Sequence, residues 1–172
     1  DEARIFLAGM SNGGHMSQRL ACEKADRFAG IAIVTSQFTS QLIAKCHPSR
    51  RLAVLYLNGT EDPLVPYDGG TIAPQWGGRG TATAADRTFG FWGRHNGCGT
   101  PPERTLLGDL DDSDGTRIEQ LDWPDCAPSA PLRLFRIVGG GHTWPGKMQY
   151  LPQSVIGRTS HDADGSRLIW QF

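Results

Sequence analysis

No apolar run in this 172-residue chain approaches the length of a membrane-spanning helix. The first residues, Asp1-Glu2-Ala3-Arg4, also lack the cationic start of a secretion signal, so any such signal is expected to lie outside them. Excess charge is missing too: 17 Lys+Arg stand against 18 Asp+Glu, scattered and not in blocks. That balance offers no grip to nucleic acid or to an anionic membrane surface. Cysteine is scarce, and none of the four forms a C-x-x-C pair or neighbours a histidine at ligand spacing, which argues against a metal site. Internal repeats and linker-like stretches are lacking as well. Residues 1–172 therefore read as a single domain with enough chain for a real core.

The four cysteines, Cys22, Cys46, Cys98 and Cys126, allow three pairings. Joining Cys22 to Cys46 and Cys98 to Cys126 would clip successive segments and imply an oxidising compartment, secreted or periplasmic. Four free thiols in a cytosolic protein is the alternative.

Four apolar stretches read as strands: Ile5 to Ala8, Gly30 to Val34, Leu52 to Leu57 and Leu132 to Val138. The last three are continuous and not alternating, as expected of strands buried on both faces of a mostly parallel sheet. Helical patterns occupy roughly 14–25, 81–96 and a final segment with Leu168, Ile169 and Phe172 on one face. The alternation argues for an α/β fold. Trp92 and Trp170 lie in helical patterns and are expected in the core. Asp114-Gly115, between Arg104-Thr105-Leu106-Leu107 and Arg117 to Leu121, suits the type I′ turn of a hairpin. The surrounding acidic run fails as a calcium loop, because the frame that puts Gly115 sixth puts Leu110 first and Leu121 twelfth. The 68–80 loop reads as irregular.

Gly9-Met10-Ser11-Asn12-Gly13 fits G-x-S-x-G, with an apolar run before it and a helical pattern after it. A serine raised on such a strand-to-helix turn is an exposed nucleophile, provided the residues two before and two after it lack bulk. Serine needs a base, and the base needs a group to fix its tautomer. After the third apolar stretch comes Asn58-Gly59-Thr60-Glu61-Asp62-Pro63, and after the fourth comes Gly139-Gly140-Gly141-His142-Thr143-Trp144. Both loops lie at carboxyl ends of strands, where ligand sites of open α/β sheets form. Asp62 is thus the candidate acid, with Glu61 and Asp68 as competitors. His142 is the candidate base, against His15, His47, His95 and His161. Trp144 either walls the acyl group or packs the loop. Asn58-Gly59-Thr60 is a glycosylation sequon that at a buried strand end reads as an unmodified turn.

Gly9 to Gly14 continuing to Leu20-Ala21-Cys22-Glu23, Asn58 to Tyr67, and Gly140 to Gly146 together resemble the polyhydroxybutyrate depolymerase and feruloyl esterase group of α/β-hydrolases. The resemblance runs from Arg4 to the end. It implies Ser11 as nucleophile, Asp62 as acid, His142 as base and the Asn12 N–H as an oxyanion donor. It also implies a secreted, disulfide-bonded protein that needs no metal or organic cofactor. The implied activity is polyhydroxybutyrate depolymerase-like, with feruloyl or acetyl xylan esterase as the alternative and a non-catalytic polymer-binding relic as a further one. His15 and Asn58 depart from the residues usual in the group. The fold implied is a partial α/β-hydrolase lacking its N-terminal strands. A second oxyanion donor and a partner for the first strand are accordingly expected from an upstream segment of the same fold.

Overall fold

The computed structural model describes residues 4–172. In chain order it contains β1 (Phe6–Met10), α1 (Asn12–Glu23), β2 (Gly30–Val34), α2 (Ser40–Ile43), β3 (Ala53–Gly59), β4 (Gly70–Thr71), β5 (Thr81–Ala82) and α3 (Ala85–Asn96). There follow β6 (Glu103–Leu106), β7 (Arg117–Asp122), β8 (Leu132–Val138), α4 (Gln153–Ile156) and α5 (Gly165–Gln171). Six strands form one sheet in the order β1-β2-β3-β8-β7-β6. The first four run parallel, while β7 and β6 are antiparallel additions. This is a partial α/β fold with flanking helices, as expected.

Alternation along β3 explains why its first five residues, Ala53 to Leu57, are all apolar. Val54 and Tyr56 join one core cluster with Trp92, Phe89 and Leu134, whereas Leu55 and Leu57 join another with Phe135 and Ile137. With both faces covered, every position from Val54 on is buried. A chain of hydrogen bonds threads the first cluster: Trp92 Nε1 donates to Tyr56 Oη at 3.0 Å, and Tyr56 donates to Gln18 Oε1 at 2.9 Å. β1 differs from its neighbours, since among the described residues it pairs with β2 alone, and Phe6 is 61% exposed.

The disulfides Cys22–Cys46 and Cys98–Cys126 both form. The first ties the end of α1 to the loop after α2, and the second ties the end of α3 to the β7–β8 connection.

Two local expectations need correction. Trp170 is 88% exposed, because α5 turns Leu168, Ile169 and Phe172 toward the sheet and Trp170 the other way. β6 and β7 do pair, but Asp114-Gly115 is not a type I′ hairpin tip. Only Gly115 has positive φ there, whereas that turn needs it at both central residues. The Asp114 carboxylate instead accepts from the Thr116 and His161 backbone N–H groups at 2.7 Å each, so the local turn serves a tertiary contact. The 68–80 loop holds more order than its composition suggests, since β4 pairs with β5 across it.

Candidate active site

Ser11 follows β1 immediately and precedes α1, with φ 54° and ψ −118°. A positive φ at a residue bearing a side chain is strained, and it sets the serine at the tip of the turn. Its backbone N–H donates to the Val34 carbonyl at 2.9 Å, anchoring the turn to β2. A Cβ on Gly9 would lie 2.4 Å from the Gly13 carbonyl carbon and oxygen, so only glycine permits this approach. Gly13 contributes its main chain to that contact, and a Cβ on it would meet nothing within 4 Å. The demand for a small residue therefore falls on Gly9, and on Gly14, where a Cβ would lie 2.7 Å from that of Ser36. Asn12 opens α1, so its N–H is among the first-turn donors that no carbonyl of the helix takes.

Asp62 and His142 are held on the other side. The His142 Nδ1 and Asp62 Oδ2 atoms are 2.8 Å apart, with both side chains buried. The second carboxylate oxygen, Oδ1, accepts from the Leu64 and Val65 backbone N–H groups at 2.8 Å each. Three donors thus fix one carboxylate and orient the imidazole. The two loops meet at their glycines, since a Cβ on Gly59 would lie 2.2 Å from the Gly140 carbonyl oxygen and one on Gly141 as close to that of Ile156. The Glu61 N–H donates to the Gly140 carbonyl at 2.9 Å, stitching the loops together. Tyr150 Oη donates to the His142 carbonyl at 2.9 Å.

Among the competitors, Glu61 is exposed and faces Arg158, and Asp68 is exposed. His95 Nε2 bonds the Arg50 carbonyl, while His47 and His161 lie on the surface. His15 sits one helical turn beyond Ser11, with Nδ1 2.9 Å from Ser36 Oγ. Burial lowers its pKa first, and the nearby His142 lowers it further against the backbone of Gln37. Among the described residues, no hydrogen bond joins Ser11 Oγ to His142, a contact that in hydrolases tightens when substrate binds. Asn58 is buried at the end of β3 and donates from Nδ2 to the Ser36 carbonyl, leaving no room for a glycan. Trp144 packs partly against the cluster of Leu55 and Leu57, close to Gly165 of α5. Among the described residues, no group of three or more His, Cys, Asp or Glu is arranged to hold a metal.

Sequence reasoning missed Tyr150 and the backbone donors on Asp62. Asp62-Pro63-Leu64 carried a usable signal for the latter, since aspartate commonly caps its own turn two residues on. Nothing local marks Tyr150.

No family model matches the chain. It is 32% identical over 145 residues to feruloyl esterase B of Piromyces equi, covering 83% of this chain and 25% of that protein. It is 32% identical over 169 residues to the putative esterase NocK of Nocardia uniformis subsp. tsuyamanensis, covering 92% of this chain and 47% of that protein. The chain is related to a feruloyl esterase-like group. A shorter match, 36% identical over 70 residues, joins it to feruloyl esterase C of Emericella nidulans, covering 41% of this chain and 25% of that protein. The chain spans between a quarter and about half the length of these relatives.

Proposed function

We propose that this chain carries the catalytic residues of a serine carboxylic-ester hydrolase, with Ser11 as nucleophile, His142 as base and Asp62 as its orienting acid. The observation that supports this most is the buried bond between His142 Nδ1 and Asp62 Oδ2, formed after β8 and β3, together with a strained serine after β1. With Nδ1–H held by the carboxylate, Nε2 is the free acceptor. It takes the Ser11 proton as the hydroxyl oxygen attacks the ester carbonyl. Asp62 steadies the resulting imidazolium, which then protonates the departing alcohol. Water attacks the acyl-serine with His142 again as base, releasing the acid and restoring Ser11. The Asn12 N–H shares the negative charge of each tetrahedral intermediate.

That hole has one donor from this chain, and loss of one donor costs about 100- to 1,000-fold in rate. The free edge of β1 and its exposed Phe6 fit a further strand of the same protein, with the second donor on a neighbouring loop. The two disulfides support secretion or export to the periplasm.

The relatives' names favour a feruloyl ester as substrate. A hydroxybutyrate polyester is the second reading, supported by the sequence resemblance at all three loops. A relic that binds polymer without cleaving it would keep the elbow but need no buried Asp62–His142 pair. The test is a fluorophosphonate probe applied to the complete protein. It is expected to label Ser11 and to be slowed by methyl ferulate more than by a hydroxybutyrate dimer. Labelling that survives Ser11→Ala would overturn the assignment.

A further inference from the structure

Ser11 stands inside a closed ring of hydrogen bonds. Its N–H donates to the Val34 carbonyl at 2.9 Å, and its carbonyl accepts from the His15 N–H at 3.0 Å. The His15 side chain closes the ring, with Nδ1 2.9 Å from the hydroxyl of Ser36, just past Val34. Two residues of the ring hold a positive φ despite bearing side chains, Ser11 at 54° and Thr35 at 48°. Strain of that kind persists only where the surroundings over-determine it. The far side of the ring is fastened to β3, since the Thr35 N–H donates to the Leu57 carbonyl at 2.9 Å and Asn58 Nδ2 to the Ser36 carbonyl at 3.2 Å. The Ser36–His15 bond is the side-chain link that completes the ring.

The direction of that link is set from the core. Gln18 Nε2 faces the Gly14 and Gln37 carbonyls, 3.2 Å from each, so the amide nitrogen lies at that end and meets Ser36 Oγ as a donor at 3.1 Å. At its other end Gln18 Oε1 accepts from Tyr56 Oη, which accepts in turn from the Trp92 indole N–H, a group that only donates. With Gln18 donating to it, the Ser36 hydroxyl has a hydrogen to give, and among the described residues its acceptor is His15 Nδ1. A neutral imidazole that accepts at Nδ1 carries its proton at Nε2. Burial favours the neutral ring: it lowers the His15 pKa, the Gln37 backbone pulls the other way, and the charge of His142 lowers it further. Of the charged side chains that share a cleft with His15, Arg19 and Glu23 pair with each other at 2.9 Å, and Lys45 is a cation. That leaves no unpaired carboxylate among them to hold a second proton on the ring.

We propose that the Ser36–His15 bond fastens the nucleophile turn, and that His15, neutral and protonated at Nε2, is a positioning residue for Ser11. Protonating Nδ1 would reverse the bond and leave the buried Ser36 hydroxyl without an acceptor, so the turn is held while His15 is neutral. The enzyme then needs two neutral histidines, His142 to take the Ser11 proton and His15 to keep Ser11 in place. The positioning role rests on the ester hydrolase reading above, whereas the tautomer does not.

The test uses the complete protein. NMR of the imidazole nitrogens in the wild type, assigned by through-bond correlation, should find His15 neutral at neutral pH, with a hydrogen on Nε2 and none on Nδ1. A hydrogen on Nδ1 would overturn the proposal, whether or not any variant folds. His15→Met, which removes the acceptor, should lower kcat for methyl ferulate about tenfold with little change in KM, the scale of one lost hydrogen bond. His15→Asn, whose Oδ1 stands where Nδ1 accepts, should recover most of that loss. Ser36→Ala should match His15→Met, and the double variant should be no worse than either alone, because both changes remove the same bond. The acid limb of kcat/KM should carry two protonations in the wild type and one in His15→Asn. An undiminished kcat in His15→Met, no recovery in His15→Asn, additive losses in the double variant or an acid limb unchanged by His15→Asn would each overturn the positioning role. If a fluorophosphonate fails to label Ser11 in the wild type, the hydrolase reading fails and takes that role with it, while the tautomer result stands apart.

Discussion

Asp62 and His142 stand over the centre of the sheet, whereas Ser11 stands at its edge, and the two halves of the candidate site are secured by different means. The acid–base half is enclosed: its loops follow β3 and β8, which pair with each other, and the carboxylate, imidazole and supporting backbone are all hydrogen-bonded within this chain. The nucleophile half rests on β1, which among the described residues pairs on one side only, and on a strained turn held by a glycine contact and one bond to β2. A base must keep one tautomer and orientation, which a rigid interior provides. A nucleophile must be reachable, so it is raised on a turn at the cost of backbone strain.

The largest expected effect tests the enclosed half. Asp62→Asn should keep the fold while lowering kcat of the complete protein by about 10,000-fold, the scale seen when an orienting carboxylate is lost and the imidazole takes the wrong tautomer. Steady-state kinetics with thermal melting checks this, and a fall below tenfold would mean that another group orients His142.

Next comes the turn. Gly9→Ala forces a methyl group into the Gly13 backbone and should cost about 3 kcal/mol or more, while Gly13→Ala should change stability by about 0.5 kcal/mol or less. Urea titrations of the two variants side by side would decide. Equal losses would contradict the packing described for the elbow.

A smaller effect concerns His15, which lies one helical turn beyond Ser11 with its Nδ1 2.9 Å from Ser36 Oγ. Burial lowers its pKa below 6.5 in the fold, so the unfolded chain binds a proton there that the folded chain refuses. Stability should therefore be fullest above pH 6.5 and decline as pH falls from that value toward the folded pKa. The contribution is at most about 1.4 kcal/mol per pH unit for one proton. His15→Met should flatten stability against pH across that window, and an unchanged slope would remove His15 as the source.

The smallest effect lies at the outer edge. In the 172-residue chain alone, Phe6→Lys should reduce self-association by sedimentation while altering stability by only about 0.5 kcal/mol, since a lysine on an open edge discourages strand pairing. A large loss of stability would show that Phe6 is already packed.

The local patterns that proved legible were those in which one residue's environment is set by its neighbours along the chain. Continuous apolar runs marked β2, β3 and β8, and the G-x-S-x-G spacing marked the turn at Ser11. Aspartate or histidine just beyond a strand marked the loops that meet at the site. The same reasoning misjudged Trp170 and Asp114-Gly115. A helical pattern does not say which apolar residue the packing will leave outside. Asp114 is oriented by His161, 47 positions away, which no turn rule contains.

What the sequence by itself determined was the class of fold and the candidates for nucleophile, base and acid, because strand periodicity and tight-turn chemistry are local properties of the chain. Only the tertiary structure brings Asp62, the candidate the sequence already favoured over the neighbouring Glu61, 2.8 Å from His142 across 80 positions of sequence while Glu61 turns to solvent. It also set Tyr150 on the His142 carbonyl and left Phe6 bare at the sheet edge. Those outcomes depend on which strands lie side by side and how closely glycine backbones let their loops approach, and neither is encoded within any single segment.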